Sequence, residues 1–192
     1  MSTSERYRNA YDEVSVYANV VELLQRHRPT EGSVVLDLGC GFGAIAEAVR
    51  DLGLTYIGFD NDASSVKDLI DRGFEASEVD LSDPSRLQSF IESQLNGRPL
   101  AAITTLDFLE HITNGVALLN VLRAVAFANG RPALVVSIPN ATHIDIAAKL
   151  LIGRFDYMPT GLLDETHVVF YSPAYLQQVM AQTGWLEVGR KD

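Results

Sequence analysis

The residues best suited to binding a small molecule stand close together near the start of the chain. Asp37 follows an apolar run and precedes three glycines at alternate positions, Gly39, Gly41 and Gly43. An apolar run predicts a buried strand, and the residues from Ala44 onward favour a helix. Glycines between them allow a sharp turn in which a ligand can approach main-chain N–H groups. The stretch therefore predicts the first half of a ligand-binding βαβ unit.

This turn fits two classes of cofactor. Gly39, Gly41 and Ala44 satisfy the G-x-G-x-x-[GA] pattern of NAD-binding folds. Asp37 argues against NAD, because a dinucleotide site is usually apolar up to the turn, whereas a carboxylate there suits a cationic amine. The pattern Asp-x-Gly-x-Gly-x-Gly resembles motif I of the class I S-adenosylmethionine (SAM)-dependent methyltransferases. That resemblance implies that Asp37, Gly39, Cys40 and Gly41 lie against the amino-acid and ribose portions of SAM.

Acidic residues end the next two predicted strands. Asp60 lies about 20 residues after Gly39, where adenosine-binding folds place the carboxylate that accepts ribose hydroxyls. Asn61 is assigned to the same site. Asp80-Leu81 follows a predicted strand over 75–79 and resembles the family's third motif, which implies a carboxylate beside the adenine amino group and backbone beside the ring.

A further segment, 105–112, follows the fourth predicted strand and resembles the "D-x-L-E-H" sequence of many small-molecule methyltransferases. Asp107 is expected to face the methionine end of SAM or the acceptor. Glu110 and His111 are predicted to open a helix that runs to about Ala128. For Glu110, a helix-capping role and a role in the site both stay open.

The alternation of strands and helices predicts an α/β fold, a Rossmann-like, doubly wound and mostly parallel sheet. Right-handed crossovers then bring the glycine turn and the acidic residues to one edge of the sheet. We expect an N-terminal helical segment over 1–30 and a SAM-binding domain over 31–192, with an acceptor-site insert over 140–171. In the first segment an apolar stripe predicts a helix that packs on the sheet or a flap that brings a tyrosine to the ligand; its members are Tyr7, Tyr11, Val14, Ala18 and Val21.

The insert carries the most distinctive sequence of the chain. It resembles the "L-x-G-R-[FW]-D-Y … G-[LI]-L-D-x-T-H-x-x-F" segment of methyltransferases associated with bacterial cell-surface polysaccharide and glycosyltransferase systems. That resemblance implies an insert that roofs the acceptor pocket and an acceptor that is a glycan or another small molecule. A neutral hydroxyl acceptor must lose its proton, and histidine is a frequent base. His143 and His167 lie in the insert and are the candidate catalytic residues, whereas no spacing of His, Asp and Glu predicts a metal site.

Composition limits the partners. The chain has 192 residues and a formal net charge of −10, and a nucleic-acid-binding protein normally carries a basic face. No apolar run approaches the roughly 20 residues of a membrane span. A single cysteine cannot form an internal disulfide, so a reducing cytoplasm is the expected setting.

The C-terminal region predicts an incomplete sheet. In the methyltransferase family the strand order is 3-2-1-4-5-7-6, and an antiparallel seventh strand lies between the fifth and sixth. Here a sixth strand is predicted over Trp185–Gly189, and too few residues follow it to form another. We therefore expect the chain to be part of a longer polypeptide, or the edge of the fifth strand to be covered by the sixth strand or by a second chain in a homo-oligomer.

Three functions remain open from the sequence. The first is a SAM-dependent methyltransferase that acts on a hydroxyl of a sugar or a similar polar metabolite and releases S-adenosylhomocysteine. The second is an NAD-type oxidoreductase, which Asp37 and the segment from Asp107 to His111 disfavour. The third is a non-catalytic SAM-fold module that supports a partner enzyme.

Overall fold

The computed structural model describes residues 15–26 and 29–191. Their centre is a sheet of five strands in the order β3-β2-β1-β4-β5, with every neighbouring pair parallel. This arrangement confirms the predicted α/β Rossmann-like class. The strands are β1 (Val34–Leu38), β2 (Thr55–Asp60), β3 (Glu75–Glu78), β4 (Leu100–Leu106) and β5 (Ala133–Ser137).

Helices connect the strands and cover both faces of the sheet. They are α1 (Val16–Arg26), α2 (Ala46–Asp51), α3 (Ala63–Asp71), α4 (Leu87–Leu95), α5 (Gly115–Ala128), α6 (Ile144–Leu151) and α7 (Pro173–Gln182). Two 3₁₀ turns, Pro84–Arg86 and Leu109–His111, precede α4 and α5. No helix within 15–26 and 29–191 is long and apolar enough to cross a bilayer.

The helix after β4 differs from its prediction. Glu110 and His111 lie in a separate 3₁₀ turn, and α5 begins only at Gly115. The reason is local, because the side chain of Asn114 accepts a hydrogen bond from the Ala117 backbone N–H at 3.2 Å and caps α5 there. The 3₁₀ turn therefore stands apart from the helix, at the end of β4.

Two apolar clusters hold the layers together, one on each face of the sheet. Alternate residues of β1 enter opposite clusters, since Leu36 packs towards α4 and α5 and Val35 packs towards α1 and α2. Strand β1 is buried along its whole length, as expected of a central parallel strand. The core therefore holds β1 rigidly beneath the glycine turn that follows it.

The predicted sixth strand is wrong. Residues 185–189 form no strand, and among the described residues β5 pairs only with β4. The Trp185 indole N–H instead donates to the Leu119 carbonyl of α5 at 3.2 Å, which directs the chain along that helix. Lys191 then bonds Asn19 of α1 at 3.0 Å. Direct pairing of a sixth strand with β5 is thus ruled out for the described residues, and cover by a second chain stays a prediction.

The structure describes only part of the apolar stripe that was predicted for the N-terminal segment. Tyr7, Tyr11 and Val14 lie outside the described residues. Within α1, Val21 is buried and Ala18 is half-buried. The helix packs against the cluster that contains Val35, and its Tyr17 is also buried there.

Candidate cofactor and acceptor site

One cavity of about 1130 Å³ opens at the carboxyl edge of the sheet. Parallel strands place their carboxyl ends together, so the residues that follow β1, β2, β3 and β4 all reach it. Every residue that the sequence assigns to the cofactor lines this cavity: Asp37, Gly39, Cys40, Gly41, Asp60, Asn61, Asp80, Leu81 and Asp107.

The glycine turn is tightly packed at its first position. Gly39 has φ +69°, and a Cβ placed there would lie 2.1 Å from the Phe108 ring and 2.8 Å from Phe108 Cβ. The backbone N–H groups of Gly39 and Cys40 both donate to the Phe59 carbonyl, at 2.8 and 3.1 Å. Gly41 has φ +48° and nothing within 4 Å of the corresponding Cβ position, on the side where a ligand would lie. Only glycine fits the first position, while the second faces open space.

The Cys40 thiol is buried beside the Asp37 carboxylate. Burial raises its pKa well above the ordinary range, with the negative charges of Asp37 and Asp60 acting in the same direction. A thiol that resists ionisation is a poor nucleophile. Cys40 therefore contributes to the cavity wall as a small residue of the glycine turn and not as a nucleophile.

Asp60 ties the turn to the end of β2. Its Oδ2 accepts a hydrogen bond from the Gly41 N–H at 2.7 Å, and its Oδ1 accepts one from the Asp62 N–H at 2.9 Å. A carboxylate has about four lone-pair positions, so each oxygen can accept a further hydrogen bond from a ligand. On the outer side of the turn, Arg72 donates to the Phe42 carbonyl at 2.7 Å.

Asp37 is a buried carboxyl group with two donors. It is 3% exposed, and it accepts hydrogen bonds from the Tyr56 hydroxyl at 2.8 Å and the Thr104 hydroxyl at 2.5 Å. Burial raises its pKa to about 6, although both hydrogen bonds act in the opposite direction. The two hydroxyls hold the carboxyl group in one orientation at the cavity.

Asp80 lies on the exposed rim, at the far end of the cavity from β4. It accepts hydrogen bonds from the Ser82 hydroxyl at 2.6 Å and from the Ser82 backbone N–H at 2.9 Å. These bonds hold its pKa below the ordinary value. The carboxylate is therefore ionised and oriented by the loop that follows β3.

At the opposite end, Asp107 has a left-handed backbone with φ +49°. Its Oδ1 accepts a hydrogen bond from the Ser137 hydroxyl of β5 at 2.7 Å, and its Oδ2 accepts one from the Tyr17 hydroxyl of α1 at 3.4 Å. Asp107 thus joins β4, β5 and α1 around the cavity. The tyrosine that reaches the site is Tyr17, which the predicted stripe did not include.

The most unusual group in the cavity wall is the Glu110 carboxylate. Glu110 is 1% exposed, and within residues 15–26 and 29–191 neither carboxylate oxygen has a hydrogen-bond partner. Burial raises its pKa to about 8, and the charges of Asp107 and Asp164 add to the effect. The Nε2 atom of His167 lies 3.9 Å from Glu110 Oε1, and the His167 and His111 rings meet edge to face at 4.9 Å.

The insert reaches this cluster through backbone hydrogen bonds. The Glu110 carbonyl accepts from the backbone N–H groups of Val168 and Val169, at 2.9 and 3.1 Å. One strand-like bridge, between Asn140 and Tyr171, joins the two ends of the predicted insert. The segment that carries His167 is therefore held directly against the 3₁₀ turn after β4.

The two candidate catalytic histidines have different positions. His167 lines the cavity, with 6% of its side chain exposed. His143 does not line it, since its ring caps α6 by accepting a hydrogen bond from the Asp145 N–H at 3.3 Å and about half of its side chain is exposed. The structure thus brings His167, but not His143, to the same cavity as the predicted cofactor residues.

Sequence reasoning missed three groups here. Ser137 lies in a strand that was assigned to the core. Tyr17 lies in the N-terminal helix, for which packing on the sheet and a flap with a tyrosine at the ligand were both open, but the predicted stripe did not include it. The pairing of His111 with His167 spans 56 positions in the sequence, so no local spacing reveals it. For Glu110 the sequence did contain a signal, since this residue lies in the segment that resembles D-x-L-E-H. The sequence left open whether it caps a helix or belongs to the site.

Comparison with known proteins agrees with this geometry. Residues 7–187 match the methyltransferase-domain family Methyltransf_23. The ubiquinone biosynthesis O-methyltransferase of Agrobacterium fabrum is 34% identical over 88 residues, which cover 46% of this chain and 34% of that protein. The chain spans about a third to a half of the length of the curated relatives that it matches.

Solved structures share the fold at low identity. A SAM-dependent methyltransferase from Archaeoglobus fulgidus superposes with a TM-score of 0.57 and 21% identity, over 88% of this chain and 69% of that one. The magnesium protoporphyrin IX methyltransferase of Synechocystis PCC 6803 gives 0.63 and 18%, over 94% and 83%. With a family match across nearly the whole chain, this protein belongs to the class I SAM-dependent methyltransferase family.

Proposed function

We propose that this chain is a SAM-dependent methyltransferase that methylates a hydroxyl group of a small polar acceptor, such as a sugar. The observation that carries the proposal is the convergence of the glycine turn, Asp37 and Asp60 on one cavity, opposite Glu110 and His167. We call the side of the cavity with the glycine turn, Asp37 and Asp60 the cofactor end. The side with Glu110 and His167 is the acceptor end. A methyl donor in the middle would face both.

Each cofactor residue has a chemical counterpart in SAM. The buried Asp37 carboxylate suits the cationic amino group, and Asp60 suits the ribose hydroxyls. Asp80 and the backbone of Leu81 suit the adenine. Asn61 lies beside Asp60 at the cavity wall. Asp107 suits the methionine end or the acceptor, because it lies between the two halves.

The charge of the wall disfavours an anionic acceptor. Among the described residues that line the cavity there is no lysine or arginine, while seven are acidic: Asp37, Asp60, Asp62, Asp80, Asp107, Glu110 and Asp164. An acceptor that carried a phosphate or carboxylate would meet repulsion without a cationic partner. A hydroxyl-bearing acceptor would find hydrogen-bond acceptors on every side.

The reaction is an in-line displacement at the sulfonium methyl group. The acceptor oxygen forms a bond to the methyl carbon, the S–C bond breaks with its electron pair on sulfur, and the hydroxyl proton leaves. The protein supplies positioning and exclusion of water. We propose His167, at the acceptor end, as the group through which the hydroxyl is activated.

Relatives named for O-methylation support this reaction type. Three of the curated matches are ubiquinone biosynthesis O-methyltransferases, from Agrobacterium fabrum, Dictyostelium discoideum and Arabidopsis thaliana. A glycan acceptor of a cell-surface polysaccharide system is supported by the sequence of the 140–171 insert. Turnover of SAM to S-adenosylhomocysteine with a panel of sugar and phenolic hydroxyl acceptors tests the assignment, and no turnover with any of them would favour a non-catalytic module.

The family match argues against the alternative of an NAD-type oxidoreductase, and calorimetric titration with SAM and with NAD tests it. SAM is expected to bind and NAD is not. The reason is that Asp37 places a buried carboxylate beside the glycine turn, where SAM has an ammonium group and a dinucleotide has its anionic pyrophosphate.

Asp60→Ala is expected to weaken SAM binding by about 1–3 kcal/mol, or roughly 5- to 150-fold. The substitution removes the acceptor of the ribose hydroxyls and also releases the Gly41 N–H from its 2.7 Å hydrogen bond. Calorimetric titration measures the loss. Asp71→Ala is the matched control, because Asp71 forms an exposed ion pair with Lys67 on α3, does not line the cavity and should leave affinity nearly unchanged. Equal affinity in Asp60→Ala and the unmodified protein would contradict the ribose assignment.

SAM affinity is also expected to fall as the pH falls through about 6, the pKa to which burial raises Asp37. Only the ionised carboxylate pairs with the ammonium group, so affinity at pH 5 should be about tenfold lower than at pH 7.5. The stability of the protein without SAM depends on pH in the opposite direction, because it falls as the pH rises. The native state holds this proton more tightly than the unfolded state, whose pKa is near 3.8, so the contribution to stability is present at low pH and is lost as the pH rises through about 6.

The Asp37→Asn variant provides the control for this pH dependence. Its amide cannot ionise, so affinity should be low and should vary little between pH 5 and 7.5. Titration calorimetry at several pH values measures both proteins. A profile of the unmodified protein that is flat over this range would contradict the role given to Asp37.

A further inference from the structure

Three ligating side chains meet at the acceptor end of the cavity. Glu110, His111 and His167 each offer one ligand atom, and these atoms all lie within 4.8 Å of one another. Ligand atoms bound to one divalent ion at about 2.1 Å lie about 3–4 Å apart, so a side-chain adjustment of about 1 Å would complete the set. Two imidazoles and one carboxylate are a donor set typical of Zn²⁺ and other divalent transition-metal ions.

The Glu110 carboxylate supplies an independent observation. It is almost fully buried in the cavity wall, and neither of its oxygens has a hydrogen-bond partner among the described residues. Native proteins nearly always pair such groups with a donor, a charge or an ion. The part of the chain that lines the cavity in the structure offers no lysine or arginine for it. A bound cation would supply the missing charge partner.

His111 is held as metal-binding histidines usually are, with one ring nitrogen bonded to the backbone. Its Nδ1 lies 3.2 Å from the Thr166 carbonyl oxygen and 3.1 Å from the Thr166 hydroxyl, whose own proton is donated to Asp164. Both Thr166 oxygens therefore act as acceptors, which assigns the His111 proton to Nδ1 and makes Nε2 the ligand atom. Behind them, Asp164 accepts from the backbone N–H and the hydroxyl of Thr166, at 2.8 and 2.7 Å, and so fixes the residue that orients His111.

We propose that Glu110, His111 and His167 bind a divalent transition-metal ion at the acceptor end of the cavity. The role of the ion in catalysis rests on the proposed function, although the binding itself does not. When bound, the ion would take an acceptor hydroxyl as a further ligand and lower its pKa, so that the proton leaves to water. His167 would then contribute to the reaction by binding the metal ion.

The site is tested with the full chain after treatment with a chelator. Calorimetric titration with Zn²⁺ and with Mn²⁺, together with metal analysis after dialysis, is expected to give one ion per chain. Co²⁺ should give a visible absorption spectrum that indicates nitrogen and oxygen ligands. Glu110→Gln and His167→Ala should each weaken metal binding at least 100-fold. Asp145→Ala, which alters the exposed His143–Asp145 pair outside the cavity, is the matched control and should bind metal normally.

Folding of each variant is checked by circular dichroism, and Glu110→Gln is the decisive one because its carboxylate has no hydrogen bond to lose in the part of the chain that the structure describes. Absence of stoichiometric metal binding, or binding that is unchanged in Glu110→Gln, would overturn the proposal. SAM titration of the same chelated protein keeps the two proposals apart. SAM binding without metal binding refutes the metal site alone, and metal binding without SAM binding refutes the proposed function alone.

Discussion

Replacement of His167 by alanine is expected to lower methyl-transfer turnover by about two to four orders of magnitude, the usual contribution of a group that assists proton removal. SAM affinity should change little, because His167 lies beside the 3₁₀ turn after β4, whereas Asp60 and Asp80 lie near the ends of β2 and β3. The loss should therefore fall on turnover at saturating SAM. The same direction is expected whether His167 takes the proton itself or holds a metal ion that acidifies the hydroxyl.

The matched comparison is His143→Ala. His143 lies in the same insert and was an equal candidate from the sequence, but its ring caps α6 and is half exposed. Loss of one exposed cap costs about 1 kcal/mol of stability and should reduce turnover far less than loss of His167. Initial rates with the true acceptor, measured at saturating SAM, decide the matter. Normal turnover in His167→Ala would remove this residue from the reaction.

Gly39→Ala is expected to destabilise the protein by about 3 kcal/mol or more. The new Cβ would lie 2.1 Å from the Phe108 ring, and the backbone has φ +69°, where a side chain adds strain. Rotation of the ring cannot relieve the clash fully, because Phe108 Cβ is itself only 2.8 Å away. Either the turn or the segment from Asp107 onward must therefore move.

Gly41→Ala separates crowding from backbone strain. Its φ is +48° and nothing lies within 4 Å of the new Cβ, so only the cost of the left-handed backbone applies, about 1–2 kcal/mol. Urea unfolding of both variants without ligand measures the difference. Equal losses in Gly39→Ala and Gly41→Ala would show that Phe108 is not packed against the turn as described.

The sequence predicted the elements whose signals are local. Buried strands, the glycine turn and the acidic residues at strand ends are each read from a few neighbouring residues, and right-handed crossovers then bring them together. The prediction of a strand at Trp185–Gly189 was wrong because the indole N–H of Trp185 forms a hydrogen bond with α5 instead. Propensity identifies a segment able to form a strand, but tertiary contacts decide whether it joins the sheet.

The acceptor end was less predictable than the cofactor end for a physical reason. Asp37 and Asp60 lie near the carboxyl ends of β1 and β2, whose neighbours are set by the order of the sheet, so their positions follow from topology. His167 lies in an irregular segment, and its position depends on two hydrogen bonds from Val168 and Val169 to the Glu110 carbonyl. Such long-range contacts leave no periodic pattern in the sequence, which is why His143 and His167 were indistinguishable.

The glycine turn is bonded from both sides, by Asp60 within the cavity and by Arg72 on the outer surface. Arg72 also contacts Asp68 of its own helix and Glu47 of α2, so the Phe42 carbonyl is joined to two helices. A loop held in this way has already lost its conformational freedom during folding. The entropic cost of ligand capture then falls mainly on the ligand, whose several rotatable bonds must adopt one shape against a surface that is already formed.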